Sequence, residues 1–208
     1  MPESCIRLKS GDKIVFFGDS ITQAHPGYVS FIAEMLGSLY PELSVEVINK
    51  GIGGNTVQNL LDRVQDDVIA EGPGWVSISI GINDCNFGAS GIAPPEFENS
   101  LEKLIKLVKA RSGATVVLCT PSIIGEDPDG EDNQRLKAYV EAAERVAERN
   151  QLLVAPIHDA FIRSLRRAKG STGKSLFTTD GIHMNPAGNT LFGTTWLKTL
   201  GAFEDLLP

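Results

Sequence analysis

Five short apolar runs, separated by stretches whose apolar residues recur at helical spacing, constrain this chain more than any other feature. The runs cover 14–17, 45–48, 75–80, 115–119 and 152–155. They are rich in Val and Ile, and several do not alternate apolar with polar residues, which is the mark of strands covered on both faces. Between them, 27–39 carries Val29, Ile32, Ala33 and Leu36, and 56–69 carries Val57, Leu60, Leu61, Val64 and Val68. Residues 97–108 show Leu101, Leu104, Ile105 and Val108, and residues 136–147 show Leu136, Val140, Ala143 and Ala147. A last helix is predicted from Pro186, a favoured first-turn residue, through Leu191, Trp196 and Leu197. Strands alternating with helices predict an α/β layered domain with a mostly parallel, five-stranded sheet and right-handed crossovers. No repeat or low-complexity linker divides it, and 208 residues fit one domain over 1–208.

The balance of 19 Lys and Arg against 26 Asp and Glu gives a net charge of −7. That argues against nonspecific binding to nucleic acid or to an anionic membrane. Hydrophobic residues at 42% and charged residues at 22% predict a packed core. Cys5, Cys85 and Cys119 form no C-x-x-C pair, and an odd count argues against a disulfide framework. Cys119 is expected in a strand as a small apolar residue. The first residues lack the apolar segment of a secretory signal, and no uninterrupted apolar run approaches the length of a bilayer span. A cytoplasmic protein is the resulting expectation.

Four places carry chemistry. Gly18-Asp19-Ser20-Ile21-Thr22 follows the first run, so a hydroxyl is expected at the carboxyl end of a strand, where open α/β sheets hold ligands. Ser and Asp are also favoured helix N-caps, so the stretch by itself leaves cap and nucleophile both open. Asn49-Lys50-Gly51-Ile52-Gly53-Gly54-Asn55-Thr56 follows the second run and could aim backbone N–H groups into a site. It fails as a phosphate loop, because Thr56 stands where G-x-G-x-x-G needs its third glycine. Gly81-Ile82-Asn83-Asp84 follows the third run. An Asn amide is a neutral, directional donor suited to an oxyanion, although Asn and Asp are also ordinary turn residues. Asp180 and His183 stand three apart just before the last helix. There a carboxylate can accept the imidazole Nδ1 proton and aim Nε2 at a nucleophile, or the two can form a structural pair. All four places should converge at one edge of the sheet. Together they supply a nucleophile, a backbone donor, a side-chain donor, and a base with its orienter.

These residues, Gly18-Asp19-Ser20, Gly54, Gly81-x-Asn83-Asp84 and Asp180-x-x-His183, resemble the four blocks of the SGNH hydrolases, the GDSL-like lipases and esterases. The blocks appear in the family's order and span the chain from the first strand to the last helix. The first block reads Gly-Asp-Ser-Ile rather than Gly-Asp-Ser-Leu. The resemblance implies a flavodoxin-like three-layer α/β/α sandwich and no metal or organic cofactor. It implies Ser20 as nucleophile, His183 as base and Asp180 as its orienter. The Ser20 and Gly54 N–H groups and the Asn83 side chain would form the oxyanion hole, with Gly53 ranked below Gly54. A helix beginning at Ser20 would add the positive end of its macrodipole. The α/β-hydrolase elbow G-x-S-x-G is not matched, since Thr22 stands where its second glycine belongs.

The expected activity is that of a serine ester hydrolase acting on short-chain acyl esters through an acyl-enzyme. Carbohydrate O-deacetylation, as by acetylxylan esterases, is the alternative. Lysophospholipase or thioesterase activity, and a non-catalytic carbohydrate- or nucleotide-binding module, are lesser ones. The chain is short and has no lid-like insertion or large exposed apolar stretch, which favours short acyl groups over long-chain triglycerides; small-molecule or carbohydrate esters are the expected partners, and homo-oligomerisation is left open. Candidate pocket walls are Phe87, Ile123, Ile124 and Ile182. His158-Asp159 is a rival base, but adjacent residues do not face each other on a helix. His25 is expected as a solvated loop residue, and Asp19 and Asp84 as acceptors for backbone N–H groups. The acidic run over 126–132 lacks EF-hand spacing. It is expected as a solvated loop beside the pocket that disfavours anionic substrates.

Overall fold

The structure, a computed structural model, describes residues 6–86, 91–168 and 175–204. Strands β1 (Lys13–Gly18), β2 (Glu46–Gly51), β3 (Trp75–Ser79), β4 (Thr115–Cys119) and β5 (Leu153–Ala155) form one sheet. Their order is β2-β1-β3-β4-β5, and every pair is parallel. This is the flavodoxin-like, doubly wound order. Helices α2 (Tyr28–Leu39), α7 (Ile157–Arg167) and α8 (Pro186–Thr199) pack together on one face. Helices α3 (Val57–Asp67), α5 (Pro94–Ser112) and α6 (Glu131–Asn150) cover the other. Two short helices, α1 (Ser20–Gln23) and α4 (Ile82–Asn86), follow β1 and β3.

The apolar runs fold as strands because two helical layers remove both faces from water. Ile14, Val15, Phe16 and Phe17 have no exposed surface. On one side Phe16 packs on Trp196, with ring centroids 4.9 Å apart, and Tyr28 stacks on Phe192 at 3.9 Å. The Trp196 indole N–H donates to Ser77 Oγ on β3 at 2.9 Å, so a buried hydroxyl in the central strand has its partner. On the other side Phe97 meets Tyr139 edge-on. Cys119 is a buried free thiol at the end of β4.

The structure differs from these expectations at four places. The second strand is not covered on both faces: β2 is the edge of the sheet, and its side chains are half-buried or exposed. It also runs on through Asn49, Lys50 and Gly51, because pairing with Phe16, Phe17 and Gly18 of β1 continues in register. The turn of glycines therefore begins three residues later than the apolar run suggests. The long connection after β3 opens as the helix α4, and α7 is a helix absent from the elements expected above.

Chain direction creates the site. The connection from β1 leads outward to β2, whereas β3 lies on the opposite side of β1. The segments leaving β1 and β3 therefore part, and a crevice opens at their carboxyl ends. Ser20 follows β1 and Asn83 follows β3, so they flank this crevice. Among the described residues no helix is long and apolar enough to cross a membrane.

Candidate active site

The turn carrying Ser20 is set by its neighbours. A Cβ at Gly18 would collide with the Ser79 carbonyl oxygen and Thr22 Oγ1, so only glycine lets the end of β1 lie this close to β3 and α1. Asp19, not Ser20, caps α1: its Oδ1 accepts from the Ile21 N–H at 3.0 Å. The cap role thus falls to the preceding residue, and the Ser20 hydroxyl is left for another partner. Helix α1 is one turn of four residues, so the expected macrodipole is corrected to the few peptide dipoles of a single turn.

That partner is His183. Its Nε2 lies 2.9 Å from Ser20 Oγ, and its Nδ1 lies 2.6 Å from Asp180 Oδ2. Hydrogen bonding to His183 and to backbone N–H groups holds the Asp180 carboxyl down to about 2. Asp180 is therefore an ionised acceptor and Nδ1–H donates to it. In the neutral imidazole Nε2 is then the acceptor, and the Ser20 hydroxyl donates to it. The other Asp180 oxygen, Oδ1, accepts from the N–H groups of Ile182 and His183 at 3.0 and 2.8 Å. The three-residue spacing is thus a turn closed by its own carboxylate.

This turn is tied down from outside. The Thr179 N–H donates to the His183 carbonyl at 2.8 Å, and the Asn185 N–H to the Phe177 carbonyl at 2.9 Å. Asn185 then caps α8 through its side chain. Glu126 accepts from the N–H groups of Leu176, Phe177 and Thr178 and from the Thr178 hydroxyl, at 2.5–2.8 Å. Net of its burial, these bonds hold its carboxyl below the usual range. The Gly125 N–H adds a 2.7 Å bond to the Gly181 carbonyl. The acidic run is therefore not only a solvated loop. Its first residue fixes the segment that carries Asp180 and His183.

The expected oxyanion donors follow the carboxyl ends of β1, β2 and β3. Gly54 has φ +76°, a left-handed conformation that glycine adopts without strain, while space for a Cβ is open. Backbone conformation rather than crowding thus demands glycine here. Among the described residues the N–H groups of Ser20 and Gly54 meet no acceptor. The Gly53 N–H is engaged by Gln23 Oε1 at 2.9 Å, which keeps it below Gly54. Asn83 is buried, and its Nδ2 donates to the Asn55 carbonyl at 2.9 Å. One of its two amide hydrogens is thus held and the other remains for a ligand.

Two carboxyl groups lie buried behind these donors. Burial, then repulsion from Asp84, pushes Asp19 up to about 7. Burial pushes Asp84 up to about 6. Asp84 Oδ1 accepts from the Val57 N–H at 2.9 Å, and Oδ2 has no partner among the described residues. Both carboxylates therefore act on backbone N–H groups, as expected. Their folded pKa values exceed the ordinary 3.8. The folded state thus holds a proton that the unfolded chain has released, and this contribution to stability is present below about pH 4 and is lost as pH rises through 6 to 7. We expect the melting temperature to fall between about pH 5 and pH 8, and Asp84→Asn to flatten that fall. Parallel profiles for the two proteins would show that Asp84 carries no such load.

The remaining expected residues separate. Ile123 is fully buried and Ile124 nearly so; both belong to the core and present no surface to an acyl group. Ile182 is half-buried beside the turn of His183. Phe87 lies outside the described residues. His158 donates from Nδ1 to the Ser122 carbonyl at 2.7 Å, and its own N–H donates to Thr120 Oγ1, a local role at the end of β4. His25 is exposed and pairs with Ser30 Oγ at 2.9 Å. Sequence reasoning missed Glu126 as an anchor and gave no role to Arg63, whose guanidinium binds carbonyls of three segments around the site.

Ser20, His183 and Asp180 thus stand in one hydrogen-bonded line. The model of the GDSL-like Lipase/Acylhydrolase family matches residues 16–191. An acetylxylan esterase of Geobacillus stearothermophilus is 30% identical over 94% of this chain and 97% of its own. Its crystal structure superposes with a TM-score of 0.84; mutants of it described as catalytic, at a serine, an aspartate and a histidine, have also been crystallised. An arylesterase of Vibrio mimicus is 27% identical over 86% of this chain and 82% of its own. The crystal structure of LAE5, an alpha/beta hydrolase enzyme from the metagenome of Lake Arreo, superposes with a TM-score of 0.85 at 28% identity, covering 95% of this chain and 98% of that one. With one family model running from β1 into α8 and these relatives aligned nearly end to end, the chain belongs to the GDSL-like lipase/acylhydrolase family.

Proposed function

We propose that the protein hydrolyses short-chain carboxylic esters through an acyl-enzyme formed on Ser20. The observation that carries this reading is the unbroken line from Ser20 Oγ through His183 to Asp180, at 2.9 and 2.6 Å. Ser20 Oγ attacks the ester carbonyl while its proton passes to His183 Nε2. Negative charge develops on the former carbonyl oxygen, which the N–H groups of Ser20 and Gly54 and the Asn83 amide stabilise. Each such donor is worth a factor of about 10²–10³ in kcat. The C–O bond breaks as His183 passes its proton to the leaving alcohol. Water then enters, His183 takes its proton, and the acyl group leaves as the carboxylic acid. Asp180 stays ionised throughout and stabilises the imidazolium.

A second reading, deacetylation of a carbohydrate, is favoured by the acetylxylan esterase relative and by a hollow that reaches Met184, the residue directly after His183 in the chain. This hollow, about 390 Å³, lies between the starts of α2 and α8 and is bounded by Phe31, Glu34, Met184 and Asn189. An aromatic side chain among polar ones, Phe31 with Ser30, Glu34 and Asn189, suits a sugar ring. One experiment tests both readings. A p-nitrophenyl ester series of increasing acyl length is run beside acetylated xylo-oligosaccharides, with and without a serine-reactive organophosphonate. Turnover that falls with acyl length and stops as Ser20 is labelled is expected. Faster turnover of the acetylated sugars would favour the deacetylase. No turnover and no labelling would leave a binding module.

A further inference from the structure

We infer that Arg63 is a positioning residue that holds the three oxyanion donors in register. The inference rests on the oxyanion reading given above and extends it to a residue outside the crevice. Arg63 lies in α3, and its side chain is 16% exposed. Its Nη2 donates to the Gly18 carbonyl at 2.9 Å, its Nη1 to the Lys50 carbonyl at 2.9 Å, and its Nε to Asn55 Oδ1 at 2.8 Å. Asp67 pairs with Nη1 at 2.7 Å, and the guanidinium lies over the Phe17 ring, 4.3 Å from its centroid.

Asn55 is adjacent to a donor, Gly18 lies two residues before Ser20, and Lys50 lies four before Gly54. Gly18 precedes the Asp19-Ser20 turn. Lys50 precedes the segment leading into Gly54. Asn55 directly follows Gly54, and its carbonyl accepts the bond that orients Asn83. One planar group thus spans the end of β1, the end of β2 and the turn between β2 and α3. Those segments share no ladder beyond Gly18 and Gly51. The β-sheet therefore stops short of both Ser20 and Gly54; beyond it the Ile52 N–H donates to the Gly18 carbonyl and the Gly53 N–H to Gln23 Oε1, and Arg63 adds the link that reaches Asn55. The rigid fork matters: five N–H donors in fixed directions can hold three acceptors at set separations, whereas a lysine ammonium can follow one acceptor at a time. The burial of so many bonds in one side chain, with the charge balanced by Asp67, fits a fixed brace rather than a substrate-binding cation.

The test compares wild type with Arg63→Lys and Asn55→Ala on p-nitrophenyl acetate. Competent sites are counted by organophosphonate labelling of Ser20, and melting temperatures are recorded alongside. Arg63→Lys is expected to lower kcat per labelled site by about 10²-fold, the scale of an ångström-sized misplacement, with KM changed less than about twofold. Asn55→Ala keeps Arg63 and the carbonyl that holds Asn83 and cuts only the Nε link. It should lower kcat per site by about tenfold, and it keeps the test decisive if Arg63→Lys does not fold. A purely structural Arg63 would lower the melting temperature or the number of labelled sites and leave kcat per site at the wild-type value. That result, or a rise in KM at constant kcat, overturns the inference. Failure of wild type to label at Ser20 would instead overturn the oxyanion reading itself, and the inference with it.

Discussion

Replacing Ser20 by alanine is expected to lower kcat on p-nitrophenyl acetate by about 10⁵-fold or more. The substitution removes one atom, Oγ, whose partner is His183 Nε2. No cap is lost, because Asp19 closes α1. No core volume is lost either, since Ser20 is half-buried at the surface of the crevice. The melting temperature should therefore move little, as for a surface substitution. The Gly54 and Asn83 donors remain, so residual binding and a slow background reaction should survive. Burst kinetics retained in Ser20→Ala would rule out Ser20 as the nucleophile.

Asp180→Asn should cost about 10⁴-fold in kcat, and the structure gives a reason particular to this turn. Asp180 Oδ1 holds the N–H groups of Ile182 and His183. In the asparagine variant the amide oxygen must keep that place, because the amide nitrogen cannot accept those bonds. The NH₂ group then faces His183 Nδ1 in place of Oδ2. Nδ1 becomes the acceptor, the imidazole proton moves to Nε2, and Nε2 can no longer accept the Ser20 proton. The backbone of the turn survives, so the loss should appear in kcat with little change in melting temperature or KM. Activity within about tenfold of wild type would mean that Asp180 only supports the turn.

The residues in this line were legible in the sequence because each belongs to a short contiguous motif whose chemistry is local. Asp180 folds its own turn, Gly54 needs its left-handed backbone, and Asn83 begins a segment leaving a strand. The parallel sheet was legible for a related reason: a strand buried on both faces loses its polar alternation, as in β1, buried from Ile14 onward. The edge strand was not, since only pairing with β1 shows that Asn49, Lys50 and Gly51 are strand. Helix α7 carries Ile157, Ala160, Phe161, Ile162 and Leu165 at helical spacing, so a signal existed; it was hidden by how closely the helix follows the three-residue β5. Arg63 and Glu126 had no local signal. Arg63 reaches a carbonyl 45 residues away, and Glu126 binds amides 50 to 52 residues away. Contacts between a side chain and a distant backbone leave no periodicity.

The bonds from Glu126 to the amides of Leu176, Phe177 and Thr178 bear on how this enzyme's substrate range can be altered. The loop between β4 and α6 borders the crevice and is an obvious segment to exchange when larger alcohols are wanted. Its first acidic residue also moors the segment that leads to Asp180 and His183. A transplanted loop that omits this carboxylate would unmoor His183 while leaving Ser20, Gly54 and Asn83 in place. Such a chimaera would bind its ester and fail to turn it over. Loop libraries for this scaffold should therefore vary residues 127–132 and keep Glu126 constant.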